Sequence, residues 1–428
     1  MYVLLLLLFS PYVLFKMLTS RRWRAGLRER LGGVAPREGD RPCLWIHGVS
    51  VGEVLAARTL VALLGEEMPG WEIAISTTTR TGHEVALRTF PGLRVFYYPL
   101  DFSFATDRVL RAIRPDAVVL LELEIWPNFL LSTSRRGIPV FLVNGRITER
   151  SLRGYRKLLR FIPEPMDRIR LFGVQTPAYR DRFLALGVPP ERVFVTGTMK
   201  FDTVETEGGD RLREGLAADL GLEAGAWVLV AGSTHEGEEA AVLAAFRAVQ
   251  ERDPGARLVL APRHLERLPA VEEAVRRAGF EPVRRTLLGA PGSPGADGRS
   301  VVVLDTMGEL QGLYGVGDAV FVGGSLVPHG GQNVMEPAGL ARPVLTGPHH
   351  WNFQEVVEVL EAAGGLEVVA DAEALREAVL RLHGDRAGAA RRGRAAREAV
   401  AGGKGATRRT LALLRERLEP GGAPGAGA

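Results

Sequence analysis

Residues 43–64 read CLWIHGVSVGEVLAARTLVALL. The first five are apolar but for His47, a run too short for a buried helix and typical of a strand covered on both faces. Small residues at 48, 50 and 52 then let the chain turn tightly, and apolar positions over 54–64 recur at helical spacing. Strand, tight turn and helix make one βα unit, and the unit repeats. Working outward, apolar β-branched runs at 72–76, 94–97, 117–121, 140–143, 171–174 and 193–195 are separated mostly by amphipathic stretches such as 104–113. The polar, glycine-rich TVETEGG at 203–209 breaks the pattern. It restarts with strands at 227–231, 257–260, 301–304, 319–321 and 343–345 and helices at 236–251 and 265–278. Strands alternating with helices predict α/β parallel sheets. Two such halves joined by a linker predict a cleft between them, where ligands usually bind.

The 428 residues suffice for two or three domains. An apolar fraction of 46% with 24% charged residues excludes a disordered or collagen-like chain. The single cysteine, Cys43, excludes an intrachain disulfide and a cysteine-based zinc site, and fits a reducing compartment. The net charge of +4 is carried almost entirely by arginine, since only Lys16, Lys157, Lys200 and Lys404 are lysines. The basic residues are scattered among acids and no nucleic-acid-binding signature is present, so no nucleic-acid partner is expected. The histidines show no metal-ligand spacing, and no metal is predicted.

Residues 2–18, YVLLLLLFSPYVLFKML, carry one charge and are followed by Arg21, Arg22, Arg24, Arg28 and Arg30. A secretory signal has its positive charge before the apolar run. The reversed order predicts a membrane anchor over 1–20 with the rest of the chain in the cytoplasm. Pro11 leaves both a spanning and a shallow interfacial helix open, and a buried core helix is the third reading. The arginines suit anionic headgroups of the inner leaflet. The tail 420–428, PGGAPGAGA, predicts disorder.

Several strand ends carry chemistry-bearing residues. Gly48-x-Ser50-x-Gly52 matches the nucleophile elbow of serine hydrolases, although here it follows the first strand. Glu53, at the start of the helix, is either a general base or a cap stabilised by the helix dipole. In Glu122-Leu123-Glu124-Ile125-Trp126-Pro127-Asn128 the carboxylates emerge at the carboxyl edge of a strand, and a continuing strand would point both to one side. Pro127 suits a first helical turn. Asn144-Gly145-Arg146 and Lys200 also lie just past strands. In the second half, Ala231–Glu239, Pro262-Arg263-His264, Asp305–Leu310 and the glycine-rich 323–337 form four strand-to-helix loops. In register, such loops suit a nucleotide. There is no P-loop and no dinucleotide fingerprint.

Taken together, SVGE (50–53), ELEIWPN (122–128), NGRITERS (144–151), MKFD (199–202), AGSTHEGEE (231–239), PRH (262–264), DTMGEL (305–310), GGSLVPHGGQNVMEP (323–337) and GPHHWNFQE (347–355) resemble the 3-deoxy-D-manno-octulosonic-acid (Kdo) transferases of lipopolysaccharide synthesis. The match runs in order over about residues 44–360. The resemblance implies a GT-B glycosyltransferase: an anchor at 1–20, a Rossmann-like acceptor domain at 21–202, a linker at 203–209 and a Rossmann-like CMP-sugar domain at 210–419. It implies an inner-membrane enzyme facing the cytoplasm that moves Kdo from CMP-Kdo to the lipid A precursor without a metal or cofactor. Glu53 would be the base, and Glu122 or Glu124, with Lys200, would support the transition state. Pro262, Arg263, Met307, Gly308, Glu309, Asn333, Val334, Met335 and Glu336 would bind CMP.

This chain departs from the family pattern at Gln332, usually histidine, at Thr198-Met199 and at Gly145. Gln332 still donates a hydrogen bond but carries no proton. A GT-B transferase with another donor or lipid acceptor, a Ser50 esterase and a non-catalytic nucleotide-sugar sensor are the competing readings.

Overall fold

The computed structural model describes residues 25–159, 166–204, 220–221, 225–288 and 299–418. The chain forms two compact units, one of residues up to Thr203 together with those from Lys404, the other Val204–Gly403.

The first unit is a seven-stranded, wholly parallel sheet of β1 Cys43–His47, β2 Glu72–Thr77, β3 Arg94–Tyr97, β4 Ala117–Leu121, β5 Val140–Gly145, β6 Ile169–Val174 and β7 Val193–Val195, in the order β3-β2-β1-β4-β5-β6-β7. Alternation along β1 sends Cys43 and Trp45 to one face and Leu44 and Ile46 to the other, and both faces are covered. Trp45 packs against Phe96, Tyr98 and Phe129. On the opposite face Leu44 and Ile46 share a core with Val54, Leu60 and Leu64 of helix α1, Val51–Glu67. This double coverage is why β1 and β4 read as unbroken apolar runs.

The second unit is another seven-stranded parallel sheet: β8 Val228–Thr234, β9 Arg257–Pro262, β10 Glu281–Arg284, β11 Ser300–Val303, β12 Ala319–Val322, β13 Val344–Thr346 and β14 Leu366–Val368, ordered β10-β11-β9-β8-β12-β13-β14. Strand order reverses between β1 and β4 in the first unit and between β8 and β12 in the second. Such switch points open a crevice at the carboxyl ends of the strands.

The edge strands β10 and β14 have no counterpart in the sequence reading. Each is short and holds charged residues or proline, which an edge tolerates. The helix expected at 265–278 is a 3-10 turn, Leu265–Arg267, followed by a helix at Leu268–Arg277 with proline in its first turn.

The division of the chain differs from the expected 210–419 at one end. The last described helix, Ala406–Leu418, packs on the first unit, where Leu411 and Leu414 join the core of Leu44 and Ile46. Arg409 Nε donates to Thr196 O at 2.9 Å and Arg415 pairs with Glu67 at 2.9 Å. Its apolar stripe is complementary to a sheet more than 200 positions earlier, which no local pattern reveals. The expected anchor 1–20, most of the linker and the tail 420–428 lie outside the described residues. Among the described residues no helix is long and apolar enough to cross a membrane.

Candidate functional site

At the first switch point, Ser50 caps α1 and its hydroxyl faces Glu53, the third residue of the helix. The sequence S-x-x-E is that of a capping box, but the glutamate does not lie at the surface. Glu53 is buried; its Oε1 accepts from Ser50 Oγ at 2.8 Å and its Oε2 from Val49 N at 2.8 Å. Gly48 makes the room: a Cβ there would come within 3.2 Å of Glu53 Cβ and 3.0 Å of Leu121 Cδ1. Burial, and then the negative charge of Glu122, push the Glu53 carboxyl up to about 7, against the pull of its hydrogen bonds. The capping-box glutamate and the raised carboxyl are thus the same residue.

Across the crevice, β4 ends at Leu121. Glu122 takes a left-handed conformation, φ 60°, so the strand does not continue and strand alternation does not orient the two carboxylates as expected. They still converge on Glu53. Glu122 Oε1 lies 3.9 Å from Lys200 Nζ. Glu124 Oε2 accepts from Trp126 Nε1 at 2.7 Å and lies 3.9 Å from His47 Nε2. Burial, and then the charges of Glu53 and Glu122, push the Glu124 carboxyl up to about 7 against that Trp126 bond. Helix α2, Pro127–Arg135, starts on Pro127 as expected and is capped from a distance: Asp101 accepts from Asn128 N at 3.1 Å and Phe129 N at 2.8 Å. Asp101 escapes sequence reading because its partners lie 27 and 28 residues away.

Lys200 is set by its own supports. It lies on a 3-10 segment, Met199–Thr203, whose first amide donates to Asn144 Oδ1 at 3.1 Å. Asn144, at the end of β5, is itself left-handed and buried. Asp202, two residues on, accepts from Gly405 N at 2.6 Å, Thr407 N at 2.7 Å and Thr407 Oγ1 at 2.6 Å. It thereby caps the Ala406–Leu418 helix. Sequence reading finds the MKFD string but not that its aspartate ties down the chain's end.

The second unit carries the residues expected to bind CMP. The strands β11, β9, β8 and β12 are neighbours, so their four loops share one sheet edge. Pro262 closes β9 in the interior, and Arg263 N donates to Thr234 O at 3.0 Å. Asn333 Nδ2 donates to Glu336 Oε1 at 2.9 Å and Asn333 Oδ1 accepts from Met335 N at 3.1 Å, while Val334 and Met335 are buried. Burial raises the Glu336 carboxyl, opposed by Asn333 and by the charge of Arg263. Met307 is 76% exposed, Gly308 takes φ +93°, and Glu309 accepts from Thr306 Oγ1 and pairs with Arg285 at 3.5 Å. Burial, and then the charge of Glu336, raise the Tyr314 hydroxyl, against a bond to Ser233 and the charge of Arg263.

Sequence reading quotes Glu238 only inside a string. It is fully buried and takes four backbone N–H groups: His235 at 2.8 Å and Gly324 at 2.7 Å on Oε2, Ser325 and Leu326 at 2.9 Å each on Oε1. It spans the β8/β12 switch point and fixes the Gly323–Leu326 turn. No group of three or more histidine, cysteine or carboxylate side chains among the described residues could hold a metal ion. Ser50 makes no hydrogen bond to a histidine among the described residues; its hydroxyl is spent on Glu53. The serine–histidine pair of a hydrolase is therefore not assembled among the described residues.

Two doubly wound parallel-sheet units with carboxylates at one switch point and glycine-rich loops at the other define the fold class of the GT-B glycosyltransferases. MurG of Acinetobacter baumannii shares this fold, with a TM-score of 0.55 at 14% identity over 88% of this chain and 100% of that one. The family model "3-Deoxy-D-manno-octulosonic-acid transferase (kdotransferase)" matches residues 25–203. A 3-deoxy-D-manno-octulosonic acid transferase of Haemophilus influenzae is 35% identical over 98% of both chains. One of Bordetella pertussis is 33% identical over 91% of this chain and 90% of its own. The chain belongs to the Kdo transferase family and is a glycosyltransferase.

Proposed function

We propose that the chain transfers Kdo, with inversion, from CMP-Kdo to a hydroxyl of the lipid A precursor in lipopolysaccharide biosynthesis, with Glu53 as general base. The observation that carries this reading is a buried carboxyl at a switch point, poised near neutrality and keeping lone pairs beyond its two hydrogen bonds. A base must hold its proton weakly enough to release it later and strongly enough to take it from a hydroxyl. As the acceptor hydroxyl loses its proton to Glu53, its oxygen bonds the anomeric carbon and the bond to the CMP phosphate breaks. Lys200, with Glu122 and Glu124, supports the charge that develops. Pro262, Arg263, Met307, Gly308, Glu309 and Asn333 through Glu336 hold CMP. Arg263 and the backbone amides of the glycine-rich loops suit its phosphate.

In this reading no metal or cofactor takes part. The apolar segment 1–20 anchors the enzyme to the cytoplasmic face of the inner membrane, its flanking arginines meeting anionic lipids, where a lipid acceptor resides.

The test is a transfer assay with detergent-solubilised protein, CMP-Kdo formed in situ, a tetraacylated lipid A precursor, and chelator added once the donor has formed, read by mass spectrometry. A Kdo adduct that disappears with Glu53→Ala supports the reading. No adduct from folded, CMP-binding protein would redirect it to another sugar or acceptor, and no adduct together with no CMP binding would overturn it.

A further inference from the structure

We propose that His47 is a positioning residue that holds Glu124 as a neutral carboxylic acid, its Nε2 accepting the proton that Glu124 carries. His47 ends β1 and is fully buried. Its Nδ1 lies 3.1 Å from the carbonyl oxygen of Ser76 and 2.9 Å from Ser76 Oγ, which also accepts from Trp45 Nε1 at 2.7 Å. A carbonyl only accepts, so the ring proton belongs on Nδ1. Nε2 is then a bare acceptor, buried and with no hydrogen-bond partner. An orphaned acceptor inside a protein is costly. The group facing it is Glu124 Oε2, at 3.9 Å, and an approach of about 1 Å would make the bond. An ionised Glu124 would set lone pairs against lone pair; a protonated one supplies the missing donor. The ring cannot supply the charge instead, since burial holds the His47 imidazole down to about 3.

Of the groups bearing on Glu124, Glu53 and Glu122 repel its negative form, while the Trp126 bond to Oε2 favours that form and is outweighed by burial; the rings of Tyr98 and Tyr155 stand near in its field. Tyr98 stacks on His47 with centroids 3.8 Å apart and fixes the ring. Lys200 Nζ lies 3.9 Å from Glu122 Oε1. The three carboxyls therefore divide: Glu122 pairs with a cation, Glu124 is kept neutral by His47, and Glu53 is left to ionise. This last consequence rests on the transferase reading; the proton assignment does not.

The experiment uses the full chain in detergent with 15N-histidine and 13C-carboxyl glutamate, read by NMR. His47 and Glu124 are assigned by the signals lost in His47→Gln and Glu124→Gln. We expect a neutral His47 with its proton on Nδ1. In His47→Phe, which removes the acceptor, the Glu124 midpoint should fall by about one pH unit and that of Glu53 should rise, since its neighbour now ionises first. His47→Gln, whose amide oxygen can accept, should sit near the parent. A proton on Nε2, or a Glu124 midpoint that stays or rises in folded His47→Phe, overturns the proposal. If His47→Phe does not fold, the position of the proton in the parent decides alone. A parent chain that shows this assignment but transfers no Kdo would instead sink the transferase reading.

Discussion

Replacing Glu53 by glutamine separates what this residue does for chemistry from what it does to the fold. Its carboxyl rises from 4.5 to about 7 on folding. At about 1.4 kcal/mol per pH unit, ionising it inside the protein costs roughly 3.4 kcal/mol. Because the folded form holds the proton more tightly than the unfolded chain, this contribution favours the fold below about pH 4.5. It is lost as pH rises, fully so above about 7. Between pH 5.5 and 8.5 the parent should lose about 2 kcal/mol that a permanently neutral glutamine does not. Glutamine brings its own cost, about 1 kcal/mol at every pH, because its amide hydrogens replace an acceptor facing Val49 N or Ser50 Oγ. The assay is thermal unfolding of both chains across this range. The melting temperature of Glu53→Gln relative to the parent should climb by about 4–8 °C between the two pH values. Transfer activity should fall by about 10²–10⁴-fold, and in the parent it should rise with pH through about 7. Parallel pH dependences of the two melting temperatures would refute the reasoning, since Glu53 would then ionise like a surface carboxylate and hold no poised proton.

Further tests address the supports. Lys200→Met keeps the apolar stem and removes the ammonium; transfer should drop at least about tenfold with CMP binding unchanged, and unaltered transfer would exclude Lys200 from the reaction. Glu238→Gln sets amide hydrogens against backbone N–H groups that now point at a carboxylate. We expect about 2–4 kcal/mol less stability and weaker CMP binding by calorimetry, whereas an unchanged melting temperature would contradict its place at the switch point. Asp202→Ala uncaps the Ala406–Leu418 helix at a cost of about 1–2 kcal/mol, which faster proteolysis near residue 404 would reveal. Because Lys200 shares the same short segment, transfer should fall with it.

How far the sequence speaks for itself is shown best by two glutamates that it presents almost identically. Glu53 and Glu238 both follow the first strand of a doubly wound sheet, each at a switch point and each in the first turn of the helix after a loop of small residues. The strands announced themselves because apolar runs covered on both faces leave little ambiguity, and the order of βα units then placed both carboxylates at the ligand edge. The edge strands β10 and β14 and the allegiance of Ala406–Leu418 were hidden, because they depend on partners remote in the chain. The difference between the glutamates was hidden for the same reason. Glu238 spends its lone pairs on four amides, three of them from a turn 86 to 88 residues away. A side chain so saturated is structural, with no lone pair left for a substrate proton. Glu53 takes one amide and one hydroxyl, sits beside a second carboxylate, and is pushed up to about 7. Burial alone is common to both; what suits one of them to the proposed role of base is that its burial is incompletely compensated. The same reasoning singles out His47, which no spacing marks as functional: its buried nitrogen lacks a partner where a carboxyl stands nearby. In this fold chemistry resides where hydrogen bonding is left unfinished, and that is a property of three-dimensional neighbours that a one-dimensional pattern can locate only to within a loop.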